Sequence, residues 1–467
     1  MSDPIIEAIK EIPDFKTFMT VEELDKSSFA LAEKYPDVVK LYEAGKSRDG
    51  HPIYVLKIGE GKNKTLWFGC PHPNEPIGTL VIDYLSWRLA EDEELRKELD
   101  YTWFFIKAAD VDGLKLNEGW LKGPYNIRQY AFNYYRPAGN KQVEWTFPIE
   151  YKTLKFNNPI PETRVLMSII QEAKPDFIYS LHNASFGGVY YYISEKAPLL
   201  YPLYYKFVKD LGLPLSLGEP EVPWAKKLAD AVYYMVSTPE HYDYLEEHLD
   251  KDPAEVIKTG TDSFDYARRF NPYVFELVTE VPYFYDPRIE DLSTVDIKRR
   301  DAILDNVAES KKYYEELSGR YAQVKDLLRL YTRFRESIEY YLSVMPDAIK
   351  AKENWARKAE ELSREATVAE VFDNYQVARF YRLLMWGMFC RMLKAEISNG
   401  NNGVLSKVLE EMEEELEHRI KELEKELNYS VIPVKKLVTL QLAAGLYSAL
   451  YVPVSYTHLT LPTTERV

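Results

Sequence analysis

The feature that most constrains the fold of this chain is a change in the pattern of apolar and polar residues near residue 290. Before that point, short apolar runs rich in β-branched and aromatic residues alternate with amphipathic segments and with Gly and Pro. Buried strands interleaved with helices are typical of an α/β sheet covered on both faces. We therefore expect an α/β domain over residues 1–295.

The periodicity of these runs predicts individual elements. The candidate strands span residues 52–58, 65–69, 102–108, 176–181, 189–193 and 273–279. The candidate helices span residues 21–35, 77–89 and 161–173.

After residue 287 the pattern becomes helical, with few helix breakers. In 405–427 apolar residues recur at three- and four-residue steps between Glu and Lys, which predicts one apolar face on a charged helix. The Asn- and Gly-rich segment 398–403 predicts a loop, and the apolar segment 438–451 predicts a core helix too short to span a membrane. We expect an all-α domain over 296–453 that forms a homo-oligomer or gates a site.

The last fourteen residues, 454–467, have a different character. They cluster Thr, have no apolar period, and closely resemble the translation of a sequencing-library adapter. We interpret them as a non-native tail without function, so that His458 is discounted as a ligand.

Charge and composition exclude several classes of protein. Lys and Arg number 59 and Asp and Glu 74, and the net charge of −15 argues against a nucleic-acid partner or a polybasic membrane anchor. The N-terminus has no signal-peptide pattern, and no apolar run reaches the roughly 20 residues of a membrane span. The two cysteines, Cys70 and Cys390, are typical of a reducing compartment. We expect a cytoplasmic protein.

Two predicted strands end in a histidine. The first is followed by His72 and, three residues later, Glu75 in a Pro-rich loop; the second ends at His182. One such histidine is more often a hydrogen-bonded structural residue, but open α/β sheets place their sites at the carboxyl ends of strands. Two histidines and a carboxylate suit Zn²⁺ and leave a fourth position for water, as in catalytic zinc sites.

A zinc-bound water needs a base, and the reacting carbonyl needs a cation. Glu276 and Glu280 lie on the same face of an apolar strand, and spacing alone does not choose between them. Arg128 and Arg136 lie in an aromatic loop, where an arginine can bind a carboxylate through two hydrogen bonds or simply pack against tyrosine.

Six segments, taken in order, resemble the zinc carboxypeptidases of the carboxypeptidase A type. The matching segments are 41–53, the HPNE sequence at 72–75, the DVDG turn at 110–113, 161–163, 181–183, and 260–266 followed by 275–277. The resemblance covers residues 18–282 and implies a mixed, mostly parallel sheet between layers of helices.

The resemblance also implies a function, zinc-dependent hydrolysis of the C-terminal peptide bond of a peptide substrate. It implies these roles: His72, Glu75 and His182 bind Zn²⁺, Glu276 is the general base, Arg128 stabilises the oxyanion, and Asn133 and Arg136 hold the substrate carboxylate.

Departures from the family pattern keep two alternatives open. Two tyrosines separate Asn133 from Arg136, which are adjacent in the family, and Asn74 stands where digestive members have Arg. The HPNEP sequence is similar to the deacylase and amidase branches of the same superfamily, which act on small acyl-amino compounds. The second alternative to a carboxypeptidase is a non-catalytic scaffold whose helical domain binds a partner.

Overall fold

The structure, a computed structural model, describes residues 3–400 and 403–459. Within this part of the chain, nine strands form one mixed sheet: β1 (Val39–Lys46), β2 (Pro52–Ile58), β3 (Asn63–Gly69), β4 (Tyr101–Ile106), β7 (Phe177–His182), β8 (Tyr190–Ile193), β9 (Lys227–Ala229), β10 (Val232–Tyr234) and β11 (Phe275–Glu280). Their order across the sheet is β1-β2-β4-β3-β7-β11-β8-β10-β9. Three two-stranded ribbons pair β5 (Ile149–Tyr151) with β6 (Leu154–Phe156), β12 (Phe284–Tyr285) with β15 (Ser430–Val431), and β13 (Thr294–Lys298) with β14 (Glu365–Thr367).

Helices cover the sheet and form most of the chain after residue 298. In the first part of the chain they are α1 (Pro4–Lys10), α2 (Val21–Lys34), α3 (Ile77–Glu91), α4 (Glu93–Leu99), α5 (Val111–Leu121), α6 (Ile127–Asn133), α7 (Pro161–Ala173), α8 (Tyr201–Asp210), α9 (Thr238–His248), α10 (Pro253–Val256) and α11 (Ser263–Ala267). In the second part they are α12 (Arg299–Val324), α13 (Arg333–Lys358), α14 (Val368–Phe372), α15 (Ala378–Ser398), α16 (Val404–Glu426) and α17 (Val434–Leu459).

The predicted fold class is confirmed, and so are the predicted elements of the first part of the chain, each to within two residues at either end. The strands of the two-stranded ribbons were not predicted, and the three unpredicted strands of the large sheet, β1, β9 and β10, lie towards its edges. Strand β1 is only partly buried, so it lacks the continuous apolar run by which the central strands are recognised.

The centre of the sheet is parallel and buried on both faces. Strands β4, β3, β7 and β11 run in the same direction, and every residue of β4, β7 and β11 is buried. The register pairs Gly69 with Leu181 and Glu280 with His182. The carboxyl ends of three neighbouring strands therefore meet at one edge of the sheet, where His182 and Glu280 lie.

The region after residue 298 does not stand apart from the sheet. Ser337 of α13 donates a hydrogen bond to the main-chain oxygen of Arg136 at 2.9 Å, and Arg391 of α15 donates to that of Asn133 at 2.6 Å. Arg333 of α13 pairs with the buried Asp112 at 2.8 Å. Helices α13 and α15 thus fix the loop that follows α6.

The last helix packs directly on the sheet. The hydroxyl of Tyr101 donates to the main-chain oxygen of Ala449 at 2.9 Å, and a Cβ added to Gly445 would lie 2.4 Å from Trp67. The predicted boundary at residue 295 therefore separates α17 from the sheet that it covers. The reason is that α17 is apolar on nearly all sides, so it has to be buried.

Helix α17 is also longer than the predicted 438–451. Among the described residues, its Val434–Ser455 segment is long and apolar enough to cross a membrane, with a mean hydropathy of 1.5, but 72% of it is buried inside the fold. Core helices pass the same test. The helix continues through Leu459, into the predicted tail; residues 460–467 of that tail, and Asn401 and Asn402 of the predicted loop, lie outside the described residues.

Candidate metal centre

Three predicted ligands, His72, Glu75 and His182, come together at the carboxyl edge of the sheet. One ligand atom of each lies within 4.8 Å of the others, and all three residues are buried. The Nδ1 atom of His182 lies 3.1 Å from Oε2 of Glu75, and the two imidazole rings have centroids 4.8 Å apart. We call these residues the triad.

The loop after β3 is bent sharply enough to present both of its ligands. Cys70, the first residue after the strand, has a φ of 54°, in the left-handed region that non-glycine residues rarely adopt. Its neighbour Gly69 has no room for a side chain, because a Cβ there would lie 2.7 Å from the main-chain oxygen of Lys107. A turn then follows in which the main-chain nitrogen of Glu75 donates to the oxygen of His72 at 3.0 Å.

His182 is oriented from behind. Its Nε2 atom lies 2.8 Å from the hydroxyl of Ser180, and that hydroxyl donates to the buried carboxylate of Glu144 at 3.0 Å. These contacts occupy one ring nitrogen and leave Nδ1 directed at Glu75. The main-chain nitrogen of Asn183 adds a hydrogen bond to Oε2 of Glu75 at 3.1 Å.

The triad fits a zinc ion. The Nδ1 atom of His72 is buried and has no hydrogen-bond partner among the residues described, a costly state unless the atom binds something else. Burial, Arg136 and His182 hold the pKa of His72 well below its ordinary value, which favours the neutral imidazole that binds metals. A donor set of two imidazoles and one carboxylate is typical of catalytic Zn²⁺.

Arg136 reaches the triad, although not in the role the resemblance implies. Its Nη1 atom donates to Oε1 of Glu75 at 2.6 Å and to the side-chain oxygen of Asn74 at 3.4 Å. Its Nε atom donates to Gln142 at 3.2 Å. The guanidinium therefore lies beside Glu75, one residue of the triad, and binds it through Nη1.

The structure does not bring Asn133 or Arg128 to the triad. Asn133 ends α6, and its amide donates to the main-chain oxygen of Gln129 in the preceding turn at 2.9 Å. Arg128 is exposed on the same short helix, where it pairs with Glu417 of α16 and stacks over the ring of Phe132. Both predicted roles are therefore corrected. The side chain of Asn133 bonds back to its own helix, and the side chain of Arg128 pairs with α16.

Glu276 is likewise not brought to the triad. It pairs with Ile178, four residues before His182, and at about 3.3 Å per residue it lies roughly 13 Å back along the sheet. There its carboxylate accepts a hydrogen bond from Ser263 at 2.8 Å. The role of general base, which the resemblance gave to Glu276, is therefore corrected, because a base at that distance cannot reach a water on the triad.

Glu280 is the carboxylate at the right position. It pairs with His182 in the register of the parallel strands, and its Oε1 lies 3.6 Å from Nδ1 of that histidine. Its Oε2 is buried without a hydrogen-bond partner in the described part of the chain. Burial and the charges of Glu75 and Glu221 raise the pKa of Glu280 well above its ordinary value. A carboxylate with a raised pKa beside a metal site is suited to accept a proton.

Two tyrosines to which the sequence gave no role support this edge through Asn74 and Asn183. The hydroxyl of Tyr283 donates to the main-chain oxygen of Asn74 at 2.9 Å and lies 3.1 Å from Oδ1 of Asn183. Tyr130 accepts a hydrogen bond from Asn74 at 3.3 Å and lies 2.8 Å from the hydroxyl of Ser185. With 37 tyrosines in the chain, composition gave no signal for which of them surround the triad.

A protein-family model described as "Zinc carboxypeptidase" matches residues 26–284, more than half of the chain. The matched range contains the triad, Arg136 and Glu280.

Individual relatives are distant. A carboxypeptidase B from Helicoverpa zea is 28% identical over 113 residues, which is 23% of this chain and 26% of that protein, so the match spans about a quarter of the curated relative. Among solved structures, carboxypeptidase A from Helicoverpa armigera is 18% identical with a TM-score of 0.37, covering 57% of this chain and 65% of that one. Bovine thrombin-activatable fibrinolysis inhibitor is 12% identical with a TM-score of 0.34, covering 73% and 96%.

Proposed function

Because the chain belongs to the zinc carboxypeptidase family, we propose that it is a zinc-dependent hydrolase that cleaves the C-terminal peptide bond of peptides, with Glu280 as the general base. The triad would hold the metal. The single observation that carries the proposal is the side-by-side position of Glu280 and His182 at the buried edge of the sheet.

His72, Glu75 and His182 would hold a zinc ion, which would supply Lewis-acid activation of water and of the amide carbonyl. Glu280 accepts a proton from the attacking water through its unpaired Oε2 and returns it to the leaving nitrogen. Arg136 offers N–H donors and a positive charge next to the triad, where negative charge develops on the carbonyl oxygen. The triad and Glu280 are buried, and a low-dielectric surrounding strengthens both interactions.

One observation favours a second candidate, a zinc amidase or deacylase of a small acyl-amino compound. Binding of a peptide's C-terminal carboxylate needs a cation aimed at it. Within the described residues, Arg136 already donates to Glu75, while Arg128 faces α16. A substrate that lacks a free carboxylate at this point would need no such cation.

The experiment that tests the proposal compares two glutamate variants of the full chain. Glu280→Gln should retain zinc and lose about 10²- to 10⁴-fold in kcat, the usual worth of a general base. Glu276→Gln is the matched control, since it makes the same change on the same strand away from the triad. Burial raises the pKa of Glu276, which favours the protonated carboxyl that glutamine resembles, so this variant should stay active.

Both variants and the wild type are assayed for zinc content and for hydrolysis of three substrate sets: peptides with free C-termini, the same peptides amidated, and small N-acyl amines without a carboxylate. Turnover of free peptides alone supports the carboxypeptidase, and turnover of acyl amines alone supports the amidase. Activity that survives in Glu280→Gln but not in Glu276→Gln would assign the role of general base to Glu276 instead. A wild type that binds no zinc would leave the non-catalytic scaffold as the remaining reading. A cytoplasmic location and oligomerisation through the helices stay predictions.

A further inference from the structure

The side chain of Gln441, in the middle of α17, connects the last helix to both catalytic strands. Its amide nitrogen donates one hydrogen bond to the main-chain oxygen of His182 at 2.6 Å and another to that of Thr279 at 3.1 Å. His182 is the metal ligand that ends β7, and Thr279 directly precedes Glu280 on β11. Gln441 is fully buried.

The helix that carries Gln441 is held at a fixed distance from the sheet. The hydroxyl of Tyr179, on β7, donates to the main-chain oxygen of Gln441 at 3.0 Å. One turn later, a Cβ on Gly445 would lie 2.6 Å from the ring of Tyr179, so the helix backbone contacts the aromatic side chains directly. The reach of the Gln441 amide to the two carbonyl groups is therefore set by packing.

The hydrogen bonding of Gln441 is incomplete. Its Oε1 atom is buried without a partner in the part of the chain that the structure describes. A buried amide with an unpaired oxygen is less favourable than an apolar side chain of the same size. What the amide provides is a pair of N–H donors aimed at two neighbouring strand ends.

From these contacts we propose that Gln441 is a positioning residue, which holds His182 and Glu280 at their separation across the ends of β7 and β11. It acts through main-chain atoms and touches neither metal nor substrate. The C-terminal helix is thereby part of the support of the metal centre. This inference rests on the proposed function, because it takes the triad as the zinc site and Glu280 as the base.

The test uses Gln441→Met, which keeps the length of the side chain and removes both donors. Ser448→Ala is the matched control: Ser448 is buried on the same helix, and its hydroxyl contacts Tyr204, away from the strand ends. The Zn²⁺ dissociation constant is measured on the full chain by competition with a chelator, together with kcat, KM and thermal unfolding.

Loss of support for a metal ligand typically costs about 10- to 100-fold in metal affinity or activity. We expect Gln441→Met to weaken Zn²⁺ binding by about tenfold or more and to lower kcat more than it raises KM. Ser448→Ala should change only the unfolding midpoint. A folded Gln441→Met variant with wild-type zinc affinity and wild-type kcat would overturn the proposal.

A second variant covers the case in which the methionine protein does not fold. Gln441→Leu has a smaller apolar side chain that suits the buried position and has no hydrogen-bond donor, so it should show the same loss of zinc affinity. Wild-type affinity in a folded Gln441→Leu protein would also overturn the proposal. Failure of the proposed function looks different: the wild type would bind zinc and hydrolyse none of the substrates, while the zinc affinities of the variants would still judge Gln441.

Discussion

Arg136 is the cation closest to the triad, and its two expected effects have opposite signs. The guanidinium donates to Oε1 of Glu75 at 2.6 Å, so it competes with a metal ion for that carboxylate. Its positive charge also repels the metal ion. Arg136→Met should therefore leave zinc affinity unchanged or tighter, while kcat falls by about 10²- to 10³-fold through loss of a donor to the oxyanion.

Chelator competition and steady-state kinetics on the same preparations check this. Arg128→Met is the control, because Arg128 is exposed and pairs with Glu417, and it should match the wild type in both assays. Weaker zinc binding in Arg136→Met would show that the arginine supports the triad and that its role is structural.

The negative charge of Glu221 should influence the pH dependence of activity through Glu280. This exposed carboxylate accepts hydrogen bonds from Tyr190 at 3.3 Å and Tyr192 at 3.1 Å, and its charge raises the pKa of Glu280. Glu280 acts as a base only when ionised, so its raised pKa moves the acid limb of the kcat/KM profile to higher pH.

Glu221→Gln removes a like charge, so the pKa of Glu280 should fall and the acid limb should move to lower pH. The measurement is the pH profile of kcat/KM at low salt. Glu98→Gln, a change at an exposed position on α4, should leave the limb in place. An acid limb that stays where it is, or moves up, would mean that Glu221 does not act on the catalytic carboxylate.

At this scale, the sequence predicts the three residues of the triad, and it names Glu276 where we propose Glu280 as the base. His72, Glu75 and His182 are recognisable because each follows or ends an apolar strand, and strand ends meet at one edge of a parallel sheet. Glu276 and Glu280 share a strand and a face, and only the register against β7 tells which of them reaches that edge. Register depends on a partner strand almost a hundred residues away in the sequence, so spacing alone does not give it.

At the scale of elements, the contact between α17 and the sheet can be tested with two glycines. Gly445 faces Trp67 so closely that an added methyl group would overlap it, whereas nothing lies within 4 Å of a Cβ on Gly319 in α12. Gly445→Ala should destabilise the protein by about 1–3 kcal/mol through overpacking. Gly319→Ala should stabilise it by up to about 1 kcal/mol, because alanine favours a helix interior.

The midpoints of urea unfolding check both values, with the slope of each transition compared to confirm that it is unchanged. Equal shifts of the same sign would contradict the close packing of α17 on Trp67. The helices themselves are well predicted by periodicity, because period 3.6 is a local property. Which helix covers the sheet is not local, and only the all-round apolar character of 438–451 pointed to it.

For the molecule as a whole, the boundary expected at residue 295 does not separate two independent parts. The loop after α6 is bonded to α13 and α15, and the sheet is covered by α17. These contacts join residues between about 200 and 350 positions apart, so composition and periodicity give no signal for them. The change in the pattern of apolar and polar residues near residue 290 correctly marks a change of secondary structure, but it does not mark the limit of the packed unit.

Two truncations test whether the chain folds as one unit. A chain ending at residue 433 lacks α17, which exposes Trp67 and Tyr179 and removes the α17 groups that the hydroxyls of Tyr101 and Tyr204 contact. Exposure of that much aromatic surface should abolish cooperative unfolding and cause aggregation, because burial of apolar area is the main stabilising contribution.

A chain ending at residue 459 keeps α17 and loses only residues of the adapter-like tail, so its unfolding midpoint and zinc content should equal those of the full chain. Circular dichroism on heating and gel filtration distinguish the two. A 1–433 chain that is monomeric, binds zinc and unfolds at the full-length midpoint would restore the predicted boundary and would also remove the basis for a role of Gln441.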